Sequence, residues 1–224
     1  MQARRANLTM ASLPAQFVDH SLQQQLQSAR SLKHDQRSSA ALLHSGIAAL
    51  DELFCHTRPG DLIEWGIPPG MNGRLIPLQL LKQQIPPSVW IYHHHGLGVF
   101  ASSWISHGVD LQRLFFICSA NPVRELRPLF LEDTFKRIII DAPRKFSSGD
   151  MAFVSQQARK QGQIVFLIRH FFLSEKRGNP YASLRINTWQ SGKAAFSLQL
   201  IKGANRGRIS LPYAAVAEDH GQYN

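Results

Sequence analysis

Residues 61–84 combine a short apolar stretch, a loop rich in glycine and proline, and a segment with helical periodicity. This order predicts a strand, a loop and a helix, the layout in which backbone N–H groups and a helix N-terminus face a bound phosphate. A working loop of this kind reads Gly-x-x-x-x-Gly-Lys-Ser/Thr. In that register the chain carries Pro68, Gly73, Arg74 and Leu75. The geometry of a phosphate-binding loop is therefore expected here without its usual chemical groups.

Beyond this stretch the chain alternates between apolar runs and helical patterns. The apolar runs are 89–92, 114–118, 138–141 and 164–169, and the helical patterns are 99–107, 123–130 and 150–161. Continuously apolar strands of this kind are typical of a parallel sheet that helices cover on both faces. Residues 183–189 and 196–202 instead alternate apolar and polar side chains around a turn at 190–193, which predicts half-exposed antiparallel strands. The sequence thus predicts an α/β fold with a mostly parallel sheet flanked by helices and antiparallel edge strands on the C-terminal side.

The length and composition set the expected domain organisation. A chain of 224 residues, 44% of them hydrophobic, can bury one sizeable core. We expect an α/β domain at 41–216, an N-terminal helical arm and linker at 1–40, and a C-terminal tail at 217–224. In the arm, Val18, Leu22 and Leu26 recur at a helical spacing and form a narrow apolar stripe. This stripe is expected to pack either on the core of its own chain or on a protein partner.

Hydropathy and cysteine usage favour a cytoplasmic protein. No apolar run approaches the roughly 18 residues that a membrane span needs, and the N-terminus has no apolar core of signal-peptide length. Cys55 and Cys118 are too few for a disulfide framework, which agrees with a reducing compartment.

Positive charge is concentrated in the C-terminal third of the chain. The formal net charge is +10, and residues 160–208 hold nine Lys and Arg residues against a single acid, Glu175. Such a field favours a polyanion or an acidic protein surface, and a solvated basic face is the alternative. The candidate phosphate contacts are Lys176, Arg177, Lys202, Arg206 and Arg208.

The residues at the loop argue against ATP hydrolysis. This chemistry needs a lysine on the β- and γ-phosphates, a hydroxyl that binds magnesium, and a carboxylate that orients the attacking water. Arg74 keeps the charge of the lysine but has a planar fork instead of a compact ammonium, although it could still hold an anion. Leu75 offers magnesium no ligand, and Pro68 has no N–H to donate. We expect no catalytic residue and no bound cofactor. Of the three histidines at 93–95, at most His93 and His95 share one face of a strand, and no third ligand stands at a spacing that would predict a metal site.

Several segments resemble, in the same order, the core of RecA-type recombinases. They are the element at 45–51, the strand and loop at 61–75, the apolar strand at 137–141, Tyr181-Ala182-Ser183-Leu184-Arg185-Ile186, and Leu200-Ile201-Lys202-Gly203. A narrower similarity is to ImuA, the RecA-like accessory protein of bacterial mutagenic cassettes. That family has Trp-Leu-x-x-Gly-Val-Asp-Leu-x-Arg-Leu where residues 104–114 read Trp-Ile-Ser-His-Gly-Val-Asp-Leu-Gln-Arg-Leu. The division inhibitor SulA is a shorter relative with the same reduced core, and the resemblance covers roughly residues 43–212.

The resemblance carries expectations about function. Likeness to RecA implies that Asp141 stands at the position of the aspartate that steadies magnesium, and that His94 stands where the water-activating glutamate would be. Likeness to ImuA implies a non-hydrolysing adaptor in damage-induced translesion DNA synthesis, cytoplasmic and associated with the nucleoid. Such an adaptor would bridge an ImuB-like relative of Y-family polymerases, an error-prone C-family DNA polymerase and RecA, and would contact single-stranded or primed DNA weakly. The alternatives are a SulA-like inhibitor of cell division and a DNA-dependent ATPase of RecA type.

Overall fold

The computed structural model of the protein describes residues 43–82, 87–93, 101–203 and 207–217. The expected arm with Val18, Leu22 and Leu26 lies outside these residues, as do His94, Arg206 and all but the first residue of the expected tail. The proposed boundaries at residues 40 and 217 therefore remain predictions.

Within the described residues, one sheet of eight strands runs in the order β3-β2-β4-β5-β1-β6-β7-β8. The strands are β1 (Leu62–Gly66), β2 (Ser88–Tyr92), β3 (Leu114–Cys118), β4 (Arg137–Asp141), β5 (Ile164–Arg169), β6 (Leu184–Ser191), β7 (Ala195–Lys202) and β8 (Gly207–Pro212). Every neighbouring pair from β3 to β6 is parallel. The β6–β7 and β7–β8 pairs are antiparallel. This order confirms the predicted mostly parallel sheet with antiparallel strands on its C-terminal side.

Helices cover both faces of the parallel part of the sheet. They are α1 (Ala48–Phe54), α2 (Leu75–Gln79), α3 (Ser102–Ile105), α4 (Pro122–Glu125), α5 (Arg127–Leu131), α6 (Ser148–Gln161) and α7 (Tyr213–Ala217). Apolar side chains of α1, α2 and α7 join one core cluster, and those of α4, α5 and α6 join another on the opposite face. Because β1 and β4 have helices on both sides, every residue of these two strands is buried.

Two of the helical predictions need correction. The pattern at 150–161 corresponds to α6, which begins earlier because Ser147 and Asp150 form a capping box at its N-terminus. The pattern at 123–130 is not one helix but two, α4 and α5, which meet at Leu126. Pro128 has no N–H to donate to the carbonyl four residues earlier, so it interrupts a continuous helix and starts a new one.

The prediction that residues 183–189 form a half-exposed strand is wrong. In β6, all residues from Leu184 to Thr188 are buried, and the strand pairs parallel to β1 as well as antiparallel to β7. Its polar side chains face protein groups instead of water, because Asn187 is hydrogen-bonded to both backbone polar groups of Leu173. The alternation of apolar and polar side chains in this strand therefore reflects polar side chains that are hydrogen-bonded inside the protein. Strand β8, which completes the edge, lies in a basic segment for which the sequence predicted no strand.

Candidate functional site

The loop between β1 and α2 has an irregular backbone that local hydrogen bonds close. Gly70 and Asn72 have φ values of +75° and +51°, and for Asn72 this left-handed conformation is unusual. The N–H of Met71 donates to the carbonyl of Pro68, and the N–H of Leu75 donates to the carbonyl of Asn72. In a phosphate-binding loop such N–H groups point at the ligand, whereas here both are used within the loop.

The same loop is seated on strand β6. The N–H of Gln190 donates to the carbonyl of Met71 at 2.7 Å, and Thr188 Oγ1 donates to the carbonyl of Gly73 at 3.2 Å. A Cβ atom at Gly73 would stand 2.5 Å from the carbonyl oxygen of Thr188, a separation too short for any residue with a side chain. Gly73 is therefore required by the close approach of two backbones, independently of any ligand.

Arg74, at the lysine position of the loop, turns inward to Asp141 at the end of β4. Its Nε donates to Oδ2 at 2.9 Å and its Nη2 donates to Oδ1 at 2.8 Å, a bidentate pair. The two side chains are 18% and 5% exposed, so solvent screens the pair little. The structure thus brings together Arg74 and Asp141, the two charged residues at the expected nucleotide-loop positions, and joins them directly to each other.

Asp141 is surrounded by further donors. The indole N–H of Trp90 donates to its Oδ2 at 3.3 Å, and His170 Nε2 lies 3.8 Å from its Oδ1 and also contacts Arg74 Nη2. Burial alone would raise the pKa of the Asp141 carboxyl, but the hydrogen bonds and charges of His170 and Arg74 outweigh burial and hold this pKa below its usual range. The next residue, Ala142, has a φ of +46°, so a second strained backbone position adjoins the cluster. We call Arg74, Trp90, Asp141 and His170 the Arg74–Asp141 cluster.

The remaining loop positions supply no polar ligand. Leu75, at the hydroxyl position, is 8% exposed and belongs to the apolar core, and Pro68 is partly buried at the start of the loop. In the described part of the chain, no three His, Cys, Asp or Glu side chains come together in a way that could hold a metal ion.

A second buried charge cluster, which the sequence reasoning missed, lies beside the first. Glu64, in the middle of β1, is fully buried and accepts a hydrogen bond from Arg169 Nε at 3.0 Å. Its other oxygen accepts the N–H of Asn179 and lies 3.4 Å from Arg185 Nε. A charged residue inside an otherwise apolar strand was the available sequence signal, because such a residue is rarely buried without partners.

Arg185 connects this second cluster to the segment that follows β5. Its guanidinium donates to the carbonyls of Ser174, Glu175 and Asn179. A Cβ atom at Gly178 would stand 2.5 Å from Arg185 Nε, so any side chain at this position would have to displace the guanidinium. These hydrogen bonds anchor residues 170–183 to the sheet. The predicted phosphate contacts Lys176 and Arg177 are exposed on this anchored loop.

Aromatic rings accompany the arginines in this region. Arg177 lies over the ring of Phe171 at 3.7 Å, and Arg208 lies over the ring of Trp189 at 4.8 Å. The ring of Phe172, which is 45% exposed, meets Trp189 edge to face with centroids 5.4 Å apart. We call these five residues the aromatic–arginine face. The sequence reasoning found the two arginines but not the three rings.

The other predicted basic contacts have different positions. Lys202 Nζ donates to the carbonyl of Pro180, so it too ties the 170–183 segment to the sheet. Arg208 Nη2 also donates to Ser197 Oγ at 2.9 Å, which orients its guanidinium across β7. The structure thus places Lys176, Arg177, Lys202 and Arg208 on or beside one loop and the edge strands.

Comparison with known proteins identifies the architecture. No protein-family model matches the chain, and no curated protein matches its sequence. Among solved structures, the crystal structure of the RadB recombinase superposes with a TM-score of 0.61 over 79% of this chain and 99% of that chain, at 14% sequence identity. The fold is RecA-like. Identity this low shows the fold alone, so the function must be argued from the site. Among the described residues, no helix is long and apolar enough to cross a membrane.

Proposed function

We propose that this RecA-like protein is an accessory factor that binds nucleic acid and protein partners without hydrolysing ATP. The observation that carries the proposal is the bidentate Arg74–Asp141 pair. In a phosphoryl-transfer site, the loop cation holds phosphates and the strand-end aspartate steadies magnesium. Here the two groups neutralise each other, and Leu75 fills the hydroxyl position with an apolar side chain.

Measurements of ATP turnover and ATP binding test this proposal directly. We expect the full chain to show no hydrolysis above background with magnesium and single-stranded DNA, and no saturable binding of a fluorescent ATP analogue. The variants Arg74→Ala and Asp141→Asn serve as comparisons, because any turnover that they abolish must come from this site and not from a contaminant. Such turnover would refute the proposal.

The nucleic-acid part of the proposal rests on the aromatic–arginine face. Exposed aromatic rings stack with unpaired bases, and neighbouring Lys and Arg side chains contact phosphates without reading sequence. Phe172 is the exposed ring, Arg208 is linked to it through the ring of Trp189, and Lys176 and Arg177 are exposed on the same 170–183 segment. The expected ligand is single-stranded or primed DNA, bound weakly and without sequence preference.

Charge reversal on this face gives a quantitative test. Because Arg177→Glu and Arg208→Glu each remove one phosphate-binding side chain, either change should reduce the slope of log affinity against log salt by about 0.7–1. The matched control is Arg124→Glu, which makes the same charge change at an exposed position of α4, after the strand at the opposite edge of the sheet. Equal slopes for all variants would mean that the face does not contact phosphates.

Removal of the ring separates stacking from general electrostatics. Phe172→Ala keeps every charge, and loss of one stacked base should weaken single-strand binding by about fivefold or more. Binding of duplex DNA should change much less. If Phe172→Ala affects neither substrate, the aromatic contribution is refuted while the charge contribution can still stand.

The resemblance to ImuA supports a more specific role within this proposal. We place the protein in damage-induced translesion synthesis, where it would bridge an ImuB-like Y-family polymerase relative, an error-prone C-family polymerase and RecA at the nucleoid. The stripe of Val18, Leu22 and Leu26 is the proposed contact for one protein partner. Pull-down from DNA-damaged cells should recover such polymerases with the native chain and lose at least one of them with Leu22→Ser/Leu26→Ser. Recovery of a division protein instead would favour the SulA-like alternative.

A further inference from the structure

A groove on the side of the sheet that carries α1 takes no part in the proposed function. It lies between α1 and strands β6, β7 and β8, with a volume of about 290 Å³. Its apolar lining is formed by Leu53, Leu184, Leu200 and Ile209. Leu53 and Ile209 remain partly exposed, so the groove presents an open apolar surface.

Two of the polar residues that line this groove are acidic. Glu52 and Asp61 line it together with His56 and Thr57. Arg208 also lines it, but its guanidinium is stacked on Trp189 and donates to Ser197. The groove therefore suits an apolar segment that carries positive charge.

The N-terminal arm of this chain has that character. Residues 1–42 contain five Lys or Arg residues and two acids, and Val18, Leu22 and Leu26 form their apolar stripe. The arm leads into Leu43, where the described chain starts, and Leu43 is buried in the core cluster against which Leu53 of the groove also packs.

We propose that the stripe docks in the α1 groove of its own chain. About 17 residues separate Leu26 from Leu43, and the r.m.s. end-to-end distance of a random coil of that length is roughly 20–25 Å. Such a short tether gives an effective concentration on the order of millimolar, so even a weak apolar contact is largely formed within one chain. A volume of about 290 Å³ admits two or three aliphatic side chains, in keeping with a stripe of three.

This docking would regulate the proposed function. Only this regulatory effect rests on the proposed function. The stripe is also the proposed contact for a protein partner, so groove docking and partner binding would exclude each other. A partner would then have to displace the arm before it binds. The docking itself stands or falls independently of any polymerase or DNA activity.

The two native cysteines allow a test in the full chain. Cys55 is exposed immediately after α1, between groove residues Leu53 and His56, whereas Cys118 is exposed at the end of β3 on the opposite edge of the sheet. A third cysteine is introduced beside the stripe by Gln25→Cys. Disulfide formation under dilute, mildly oxidising conditions is then followed by non-reducing gel mobility and peptide mass.

Docking within the chain predicts a monomeric disulfide from residue 25 to Cys55 that forms roughly tenfold faster or more than the one to Cys118. The changes Leu22→Ser and Leu26→Ser should abolish that preference. Equal rates to the two cysteines, or a preference that survives the serine changes, would overturn the proposal. A cross-link found only in dimers would overturn it too, and would assign the groove to the arm of a second copy. Failure of the polymerase pull-down leaves each of these readouts unchanged, so the two proposals can fail separately.

Discussion

Replacement of Arg74 by methionine tests the Arg74–Asp141 cluster most directly. The change removes both hydrogen bonds of the bidentate pair and leaves a carboxylate that is 5% exposed, with Trp90 and His170 as its remaining partners among the described residues. Breaking a buried pair by removing one partner costs roughly 3–5 kcal/mol. Because two donors remain, we expect the lower end, about 3 kcal/mol. For a chain of this size that loss lowers the melting temperature by about 6–12 °C.

The pH dependence of stability provides a second readout of the same change. In the native chain the pKa of Asp141 lies below its ordinary value of 3.8, so its stabilising effect is present above that pH and is lost as pH falls. In Arg74→Met the hydrogen bonds and charge of Arg74 no longer oppose burial, so this pKa rises. If it passes above 3.8, the sign reverses and stability is lost as pH increases. Stability measured by urea unfolding over roughly pH 3–5 should therefore increase with pH in the native chain and increase less, or decrease, in the variant.

Two comparisons make this experiment decisive. The matched control Arg124→Met, at an exposed position, should change stability by no more than about 0.5 kcal/mol. The double variant Arg74→Met/Asp141→Leu removes both charges and should be more stable than Arg74→Met alone. An Arg74→Met protein that matches the control in stability and pH profile would refute the conclusion that the two residues neutralise each other.

Further predictions concern the second charge cluster and the loop. Glu64→Gln leaves Arg169 and Arg185 without their carboxylate and should lower the free energy of unfolding by about 3 kcal/mol; limited proteolysis should then cut within residues 170–183 sooner than in the native chain. A variant as resistant as the native chain would show that Glu64 does not hold this segment. Gly73→Ala should also destabilise the protein, because its Cβ would meet the backbone of β6, whereas Gly207→Ala meets no atom within 4 Å and is the control. Equal melting temperatures for these two alanine variants would contradict the close packing of the loop.

Much of the fold could be predicted because its signals are local. The apolar runs at 138–141 and 164–169 match β4 and β5 at nearly every residue, since strands buried on both faces are largely apolar. Strand β6 was misjudged because a local pattern cannot distinguish a polar side chain in water from one satisfied inside the protein. The partners that bury Asn187 come from a segment more than ten residues away, as its hydrogen bonds with Leu173 illustrate.

By itself the sequence determined the α/β alternation and the loss of the lysine and hydroxyl from the loop, because periodicity and residue identity are properties of neighbouring positions. Only the tertiary structure decided what Arg74 does. Its partner Asp141 is 67 residues away, and the sheet brings the two together where water is largely excluded. Ion pairing between residues this far apart in the sequence depends on burial and geometry that no local sequence pattern contains. The same reason explains why Glu64 and the aromatic–arginine face emerged only from the folded chain.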